Sequence, residues 1–186
     1  MLDLSLIDKS WSLFLDRDGV LNHEKHEDYI LCWDEFRFYD GVKAALKQLN
    51  DVFGVIVLVT NQRGIGKGLM TLDDLTDIHS KMMEEIKAAG GRIDKLYFCA
   101  DLDNDSPCRK PNPGMAELAK KDFPQIDMNR SIMVGNRLSD MRFGRNAGMH
   151  TVFVATTNPE VTADDPLVDL RFEDLAAFAN AVARKS

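Results

Sequence analysis

The sequence has little cysteine and no long hydrophobic run. Its three cysteines, Cys32, Cys99 and Cys108, are too few for a disulfide framework, which indicates a reducing compartment. The N-terminal stretch MLDLSLIDKSWSLFLD begins with acidic rather than basic side chains, and its apolar run is short. We therefore expect no signal peptide, no membrane-spanning helix and a cytoplasmic location.

The sequence also lacks an excess of positive charge. Its formal net charge of −7 argues against nucleic acid or an anionic membrane as a partner. A small anionic substrate is still compatible with this charge, because a local cluster of cations can outweigh the global balance. A chain of 186 residues can form one core that buries roughly 70% of the unfolded surface. We expect one domain over residues 1–186, and a monomer.

Apolar, β-rich runs alternate with helix-like segments along the chain. The apolar runs lie at residues 11–16, 54–60, 94–100, 130–135 and 150–155. The helix-like segments lie at residues 41–50, 71–89, 114–122, 138–147 and 173–184. Continuous apolar runs indicate strands that are buried on both faces, and their alternation with helices is typical of a parallel sheet. We therefore predict an α/β fold with a doubly wound, mostly parallel sheet.

Polar motifs follow four of the predicted strands, at or soon after their carboxyl ends. These motifs are LDRDG, TNQRG, CRKP and VGNRLSD. Ligands of open α/β sheets bind outside the carboxyl ends of the strands, so we expect the loops to converge on one edge. The sequence thus predicts an active site there. Residues outside the motifs receive structural interpretations, and His79, in the middle of a predicted helix, is interpreted as a surface or packing residue.

The first motif places two carboxylates two positions apart. Asp16 and Asp18 point the same way from an extended strand end, and Gly19 permits the sharp turn that leaves them exposed. Such a pair can divide labour, with one carboxylate as nucleophile and the other as general acid and then base. The alternative is a solvated turn after an edge strand, because Asp and Gly favour turns for local reasons.

The other motifs add groups that bind anions and cations. Thr60 can hold the oxygens of an anion, and Arg109 and Lys110 carry positive charge on a loop stiffened by prolines. Asn136 and Asp140 add oxygen atoms of the kind that Mg²⁺ prefers. Each motif alone is a weak signal, since polar residues end many strands. Together they predict phosphoryl transfer, in which a carboxylate attacks phosphorus while Mg²⁺ and a lysine neutralise the developing charge.

The order of the motifs LFLDRDGVLN, VTNQRGIGKG, CRKPNPGM and MVGNRLSDM resembles the haloacid dehalogenase superfamily of phosphatases. Within it, DRDG with a following Asn, TNQ with a GIxxG tail, and CRKPxPGM are similar to the histidinol-phosphatase and heptose-bisphosphate-phosphatase family. The resemblance covers about residues 11–155. It implies a Rossmann-like fold without a large cap domain, in which residues 22–40, with His23, His26 and Tyr29, border the substrate pocket.

The resemblance also implies a role for each matching position. Asp16 would be the nucleophile that forms an aspartyl-phosphate, and Asp18 the general acid and base. Thr60 and Lys110 would stabilise the phosphoryl group. Mg²⁺ would bind Asp16, the backbone carbonyl of Asp18, and Asn136. The substrate would contact Asn61, Gln62, Arg63, Arg109 and Arg137.

Two parts of the chain depart from this family pattern. Asn136 stands where the family usually has Asp, which removes a negative charge and should weaken metal binding, although we expect activity to remain. Close relatives carry a structural zinc site spaced C-x-H…C-x-C before RKP. Here Cys99 and Cys108 persist, whereas Asp101 and Ser106 replace a His and a Cys. A tetrahedral zinc site needs thiolate or imidazole ligands, so we expect no zinc and a loop held in place by turns.

The substrate is inferred from the resemblance and from charge. The GIGKG and PGM runs resemble the heptose-bisphosphate branch more than the histidinol-phosphate branch. A bisphosphate needs a second anion site, for which the candidates are Arg63, Lys67, Arg109 and Arg137. The preferred substrate is therefore a small phosphorylated sugar, D-glycero-D-manno-heptose 1,7-bisphosphate, cleaved at its 7-phosphate. The alternatives are a histidinol-phosphate phosphatase and a catalytically silent sugar-phosphate-binding protein, the latter suggested by Asn136.

Overall fold

The computed structural model describes residues 2–26 and 28–184, which form a parallel sheet covered by helices. The strands are β1 Ser12–Leu15, β2 Val55–Asn61, β3 Lys95–Cys99, β4 Ser131–Gly135, β5 His150–Val154 and β6 Leu170–Phe172. Their order in the sheet is β3-β2-β1-β4-β5-β6, and every neighbouring pair is parallel. This is the doubly wound order in which ligands bind where the direction of winding reverses, next to β1.

The α-helices lie between and after the strands. They are α1 Val42–Val52, α2 Arg63–Gly66, α3 Leu72–Ala88, α4 Gly114–Asp122, α5 Leu138–Asn146 and α6 Leu175–Ala183. Short 3₁₀ helices are found at Leu4–Leu6, Trp33–Glu35 and Met128–Arg130. Within the described ranges, no helix is both long enough and apolar enough to cross a membrane. The predicted α/β class and the parallel sheet are confirmed, and no large cap domain is formed by the described residues.

The two faces of the sheet pack against different helices. In β2, Ile56 and Leu58 belong to the core cluster that contains the apolar residues of α1, α3 and α6. The intervening Val57 and Val59 belong to the cluster that contains the apolar residues of α4 and Phe143 of α5. Because successive side chains of a strand point to opposite faces, a continuous apolar run serves both layers. This explains why the strands were recognisable as unbroken apolar runs.

Strand β6 was not predicted from the sequence. It has only three residues, Leu170–Phe172, and all are half-buried rather than buried. A run this short carries no readable periodicity. The strand is specified instead by its position beside β5, where Val152 pairs with Leu170 and Val154 with Phe172.

The register of the central strands brings the polar motifs to one edge. Leu15, the last residue of β1, lies beside Leu58 of β2 and Val134 of β4. Asp16 follows directly, and its backbone N–H donates to the carbonyl of Val134 at 3.0 Å. Strands β2 and β4 therefore reach Thr60 and Asn136 at nearly the same level as the two aspartates of the first motif.

We expect Asp169→Asn to destabilise the fold by about 1–3 kcal/mol. The Asp169 carboxylate accepts from Arg145 Nη2 at 2.8 Å and from the Thr151 N–H at 2.9 Å, which ties α5 and β5 to the approach to β6. Burial raises the pKa of Asp169, but the hydrogen bonds from Arg145 and Thr151 outweigh burial and hold it below its usual value. The stabilisation is thus fully present above about pH 4, the pKa of Asp169 in the unfolded chain. It is lost as the pH falls through the lower pKa of Asp169 in the folded protein.

Urea unfolding at pH 7 and at pH 3 measures this effect. The variant should lose stability at pH 7 and show a smaller further loss on acidification than the wild type. Glu173→Gln is the control, because this carboxylate pairs with Arg171 while 82% of its side chain is exposed, and it should change stability little. Equal effects of the two substitutions would contradict the assignment.

Candidate active site

The predicted site residues converge on one cavity at the carboxyl edge of the sheet. The cavity has a volume of about 360 Å³. The predicted catalytic and substrate-binding residues that line it are Asp16, Asp18, Thr60, Asn61, Gln62, Arg63, Arg109, Lys110 and Arg137. A larger cavity of about 520 Å³ lies along residues 33–44, away from these strand ends. The structure thus brings the motifs together, while the role of each residue stays a prediction.

A buried lysine joins two carboxylates at the floor of the cavity. Lys110 Nζ lies 2.8 Å from Asp16 Oδ1 and 2.7 Å from Asp140 Oδ1, and all three side chains are buried. Burial raises the pKa of Asp16 to about 7, with the positive charge of Lys110 opposing the rise. Burial lowers the pKa of Lys110, but the two carboxylates outweigh burial, so its pKa is raised and the ammonium stays charged. A fixed cation therefore lies beside the predicted nucleophile.

The backbone of Lys110 is fixed by Asn61. The Asn61 amide donates to the Lys110 carbonyl at 3.1 Å and accepts from the Lys110 N–H at 3.1 Å. Asn61 was predicted to contact the substrate. It lines the cavity, but both polar ends of its side chain are engaged in holding the loop that carries Lys110.

Asp18 is held by a second, separate set of donors. Arg17 Nη2 donates to both carboxylate oxygens at 2.9 and 3.0 Å. Asn22 Nδ2 and Gln62 Nε2 add hydrogen bonds of 2.9 and 3.1 Å. Burial raises the pKa of Asp18, but Arg17 and these hydrogen bonds outweigh burial and lower it. The two aspartates therefore have different environments: burial dominates at Asp16, whereas hydrogen-bond donors dominate at Asp18.

Arg17 and its neighbour His79 were not recognised as site residues by the sequence analysis. Arg17 has no solvent-exposed surface, and its Nη1 lies 3.3 Å from His79 Nε2 of α3. Of the two interpretations of His79, surface or packing, the structure supports packing, because the side chain is buried; its contact with Arg17 was not predicted. For Arg17, the available signal was a charged side chain between two aspartates at the end of an apolar strand. For His79, it was an imidazole among the buried residues Leu75, Ile78 and Met82.

Asn136 is buried next to the cavity without lining it. Its Nδ2 donates to Thr157 Oγ1 at 2.7 Å, and its Oδ1 has no hydrogen-bond partner in the described parts of the chain. The Asn136 side chain packs directly against Gly19. A Cβ atom added to Gly19 would lie only 2.0 Å from Asn136 Nδ2. Gly19 also has a φ of 88°, which favours glycine. Gly19 therefore serves both the turn after Asp18 and the packing of Asn136.

The loop before Lys110 contains a disulfide, which corrects the expectation that the cysteines are reduced. Cys99 at the end of β3 is bonded to Cys108, with Cα atoms 5.6 Å apart. Asp101 accepts from Ser106 Oγ at 2.5 Å within the same loop. The sulfur atoms of Cys99 and Cys108 and a carboxylate oxygen of Asp101 lie within 4.8 Å of one another. Bonded sulfurs are not the thiolates that zinc requires, so this oxidised form offers no zinc site at the pair.

The rim of the cavity carries guanidinium groups. Burial and the neighbouring positive charge of Arg63 lower the pKa of Arg109. Arg137 Nη2 forms an ion pair with Glu24 at 3.0 Å. Lys67, the fourth candidate for a second anion site, does not line the cavity, and its Nζ lies 5.0 Å from the centroid of the Tyr29 ring. The rim thus presents Arg63 and Arg109 together, which favours an anion there.

The segment that was expected to border the pocket does so only in part. Among its predicted aromatic residues, Tyr29 lines the cavity. His23 packs against Tyr39 instead, with ring centroids 3.9 Å apart, and His26 is not a lining residue. Glu24, Lys25 and Asp28 contribute further charged groups to the wall.

Comparisons with known proteins find similar hydrolases. The Hydrolase_like family model, described as HAD-hydrolase-like, matches residues 107–176. A D-glycero-alpha-D-manno-heptose-1,7-bisphosphate 7-phosphatase of Mycobacterium bovis is 35% identical over 173 residues, 92% of this chain and 91% of that protein. The corresponding beta-heptose enzyme of Rhodopseudomonas palustris is 36% identical over 144 residues, 73% of this chain and 78% of that protein.

A solved structure is similar over nearly the whole chain. The D,D-heptose 1,7-bisphosphate phosphatase from B. bronchiseptica, crystallised with magnesium and phosphate, superimposes with a TM-score of 0.85 and 30% identity. The match covers 95% of this chain and 99% of that chain. The chain therefore belongs to the haloacid-dehalogenase-like phosphatases, in the family of the heptose-1,7-bisphosphate 7-phosphatases, and is a phosphoric monoester hydrolase.

Proposed function

We propose that the chain is a Mg²⁺-dependent phosphatase that removes the 7-phosphate of D-glycero-D-manno-heptose 1,7-bisphosphate through an aspartyl-phosphate. The observation that carries the proposal is the buried Lys110 Nζ, held 2.8 Å from Asp16 at the floor of a cavity that Asp18 also lines. A fixed cation beside a carboxylate stabilises the charge that develops on a phosphoryl group under attack.

In the first half-reaction, an Asp16 carboxylate oxygen bonds to phosphorus and the bond from phosphorus to the sugar oxygen breaks. Asp18 donates a proton to that leaving oxygen. In the second half-reaction, Asp18 accepts a proton from water as the water oxygen bonds to phosphorus. The bond from phosphorus to Asp16 then breaks, which releases inorganic phosphate and restores the carboxylate. Lys110 and the hydroxyl of Thr60 hold the phosphoryl oxygens throughout.

The residues present fit a magnesium ion. The donor set would be the Asp16 carboxylate, the Asp18 carbonyl and Asn136 Oδ1, all of which are oxygen atoms, as Mg²⁺ prefers. Asn136 Oδ1 is buried without a hydrogen-bond partner among the described residues, a costly state that a bound cation would relieve. When bound, Mg²⁺ supplies positive charge to the phosphoryl oxygens.

The charge of the cavity favours a bisphosphate over histidinol phosphate. The pair Arg63 and Arg109 offers positive charge for a second phosphate at the rim. Of the acidic side chains of the wall, Glu24 pairs with Arg137 at 3.0 Å, whereas Asp28 is exposed and lies 4.0 Å from Lys25. At the rim, a cationic amino alcohol would therefore meet the guanidinium groups of Arg63 and Arg109. The relatives named for heptose 1,7-bisphosphate support the same choice.

Substitution of the nucleophile tests the enzymatic mechanism. We expect Asp16→Asn to lower kcat by about four orders of magnitude or more, because an amide cannot form the phosphoryl intermediate. The measurement is phosphate release with Mg²⁺ from both anomers of the heptose bisphosphate and from histidinol phosphate. Asp28→Asn is the matched control, since Asp28 lines the same cavity but has an exposed side chain, and kcat should stay within a few-fold. Wild-type protein without turnover on any of these substrates would favour the silent binding protein.

Substitution at the rim tests the substrate. We expect Arg63→Met and Arg109→Met each to raise KM for the heptose bisphosphate about 10- to 100-fold, as expected when a charge-assisted hydrogen bond is lost. KM for a heptose 7-monophosphate should change little. Lys67→Met is the control, because this cation lies outside the cavity lining. A wild-type preference for histidinol phosphate would overturn the substrate assignment.

Substitution of Asn136 tests the metal site. We expect Asn136→Asp to tighten Mg²⁺ binding to the free enzyme about tenfold, because the number of charged ligands sets the affinity of such sites. Titration calorimetry with MgCl₂ measures this without substrate. Asn180→Asp adds the same charge on the exposed surface of α6 and should leave the affinity unchanged. Unaltered affinity in Asn136→Asp would remove Asn136 from the metal site.

A further inference from the structure

Arg17 is a buried guanidinium whose contacts are divided between two sides. Its Nε and Nη2 face the Asp18 carboxylate, with the Nε contact at 3.2 Å. Its Nη1 faces His79 Nε2 at 3.3 Å on the opposite side. A buried guanidinium is costly unless its N–H groups have acceptors, and its planar shape means that fixing one edge orients the other.

His79 can only act as an acceptor in this contact. Arginine has N–H donors and no acceptor, so the Nε2 lone pair must face Arg17 and the imidazole proton must lie on Nδ1. Burial and the positive charge of Arg17 lower the pKa of His79 to about 4, which keeps the ring neutral at neutral pH. The imidazole is therefore a neutral acceptor aimed at Nη1.

The position of His79 on α3 is one where an apolar residue would pack well. Its neighbours on the same face of the helix, Leu75, Ile78 and Met82, are almost completely buried. Burying a polar ring in this row costs free energy unless its polar atom has a hydrogen-bond partner. The contact to Arg17 supplies that partner and links α3 to the first motif across 62 positions of the chain.

We propose that His79 is a positioning residue: it orients the Arg17 guanidinium, which in turn holds Asp18 where it can pass a proton to the leaving group. This inference rests on the proposed function of Asp18 as general acid. Without the acceptor, Nη1 would turn toward another partner and the Arg17 edge that carries Asp18 would turn with it. Transfer of a proton to the leaving oxygen then suffers, while binding of the phosphate does not.

The test compares two leaving groups. A sugar alkoxide must be protonated as it leaves, whereas the nitrophenolate of p-nitrophenyl phosphate leaves without a proton. The measured quantity is kcat/KM, which reports the steps up to the departure of the alcohol. We expect His79→Leu, and independently His79→Met, to lower kcat/KM for the sugar bisphosphate about 10- to 100-fold and for p-nitrophenyl phosphate less than about threefold. His79→Gln, which places an amide oxygen near the site of Nε2, should restore most of the loss.

Controls separate this inference from the proposed function. Ile86→Ala, at a buried position further along α3, should lower stability without changing the ratio of the kcat/KM values for the two substrates. Asp18→Asn should show the same split between leaving groups as His79→Leu. If Asp18→Asn shows no split, the proposed general acid is wrong. If Asp18→Asn does show the split, His79 has no positioning role in either of two cases: the His79 variants lower kcat/KM equally for both substrates, or His79→Gln restores no activity.

Discussion

The proposed active site depends on two buried cations that compensate the charges of two neighbouring aspartates. Lys110 lies 2.8 Å from Asp16, while Arg17 binds both oxygens of Asp18. Without them, two carboxylates at the end of a buried strand would repel each other and resist desolvation. Because the cations differ, the carboxylates differ: the pKa of Asp16 is raised and that of Asp18 is lowered. One sequence motif thereby supplies two chemically distinct groups.

The sheet order explains how these charges meet. Strand β1 lies between β2 and β4, so the loops after these strands reach the first motif from both sides. The loop after β3 is one strand further away, yet it carries Lys110. The Asn61 amide, at the end of β2, bridges this gap by binding both backbone groups of Lys110. The cation is therefore placed by the ends of two strands rather than by a flexible loop.

The local features of the site could be predicted from the sequence, whereas its long-range pairings could not. Apolar runs and the position of Asp16, Asp18 and Lys110 after strand ends follow from periodicity and from the edge at which parallel sheets bind ligands. The contact between Arg17 and His79 joins residues 62 positions apart, a pairing that no local pattern encodes. The Cys99–Cys108 disulfide was not predicted for another reason. The cysteine count was used to infer the redox state, whereas pairing depends on the distance between the Cα atoms.

The amide at Asn136 changes how the proposed site would share its charge. The carboxylates of Asp16, Asp18 and Asp140 face the two cations Lys110 and Arg17, which leaves one negative charge at most. An aspartate at position 136 would have added another and attracted a divalent cation more strongly before substrate arrives. With an amide there, the phosphate of a bound substrate would have to supply more of the charge that holds the cation. Metal and substrate should then strengthen each other's binding, and by linkage the effect is equal in both directions.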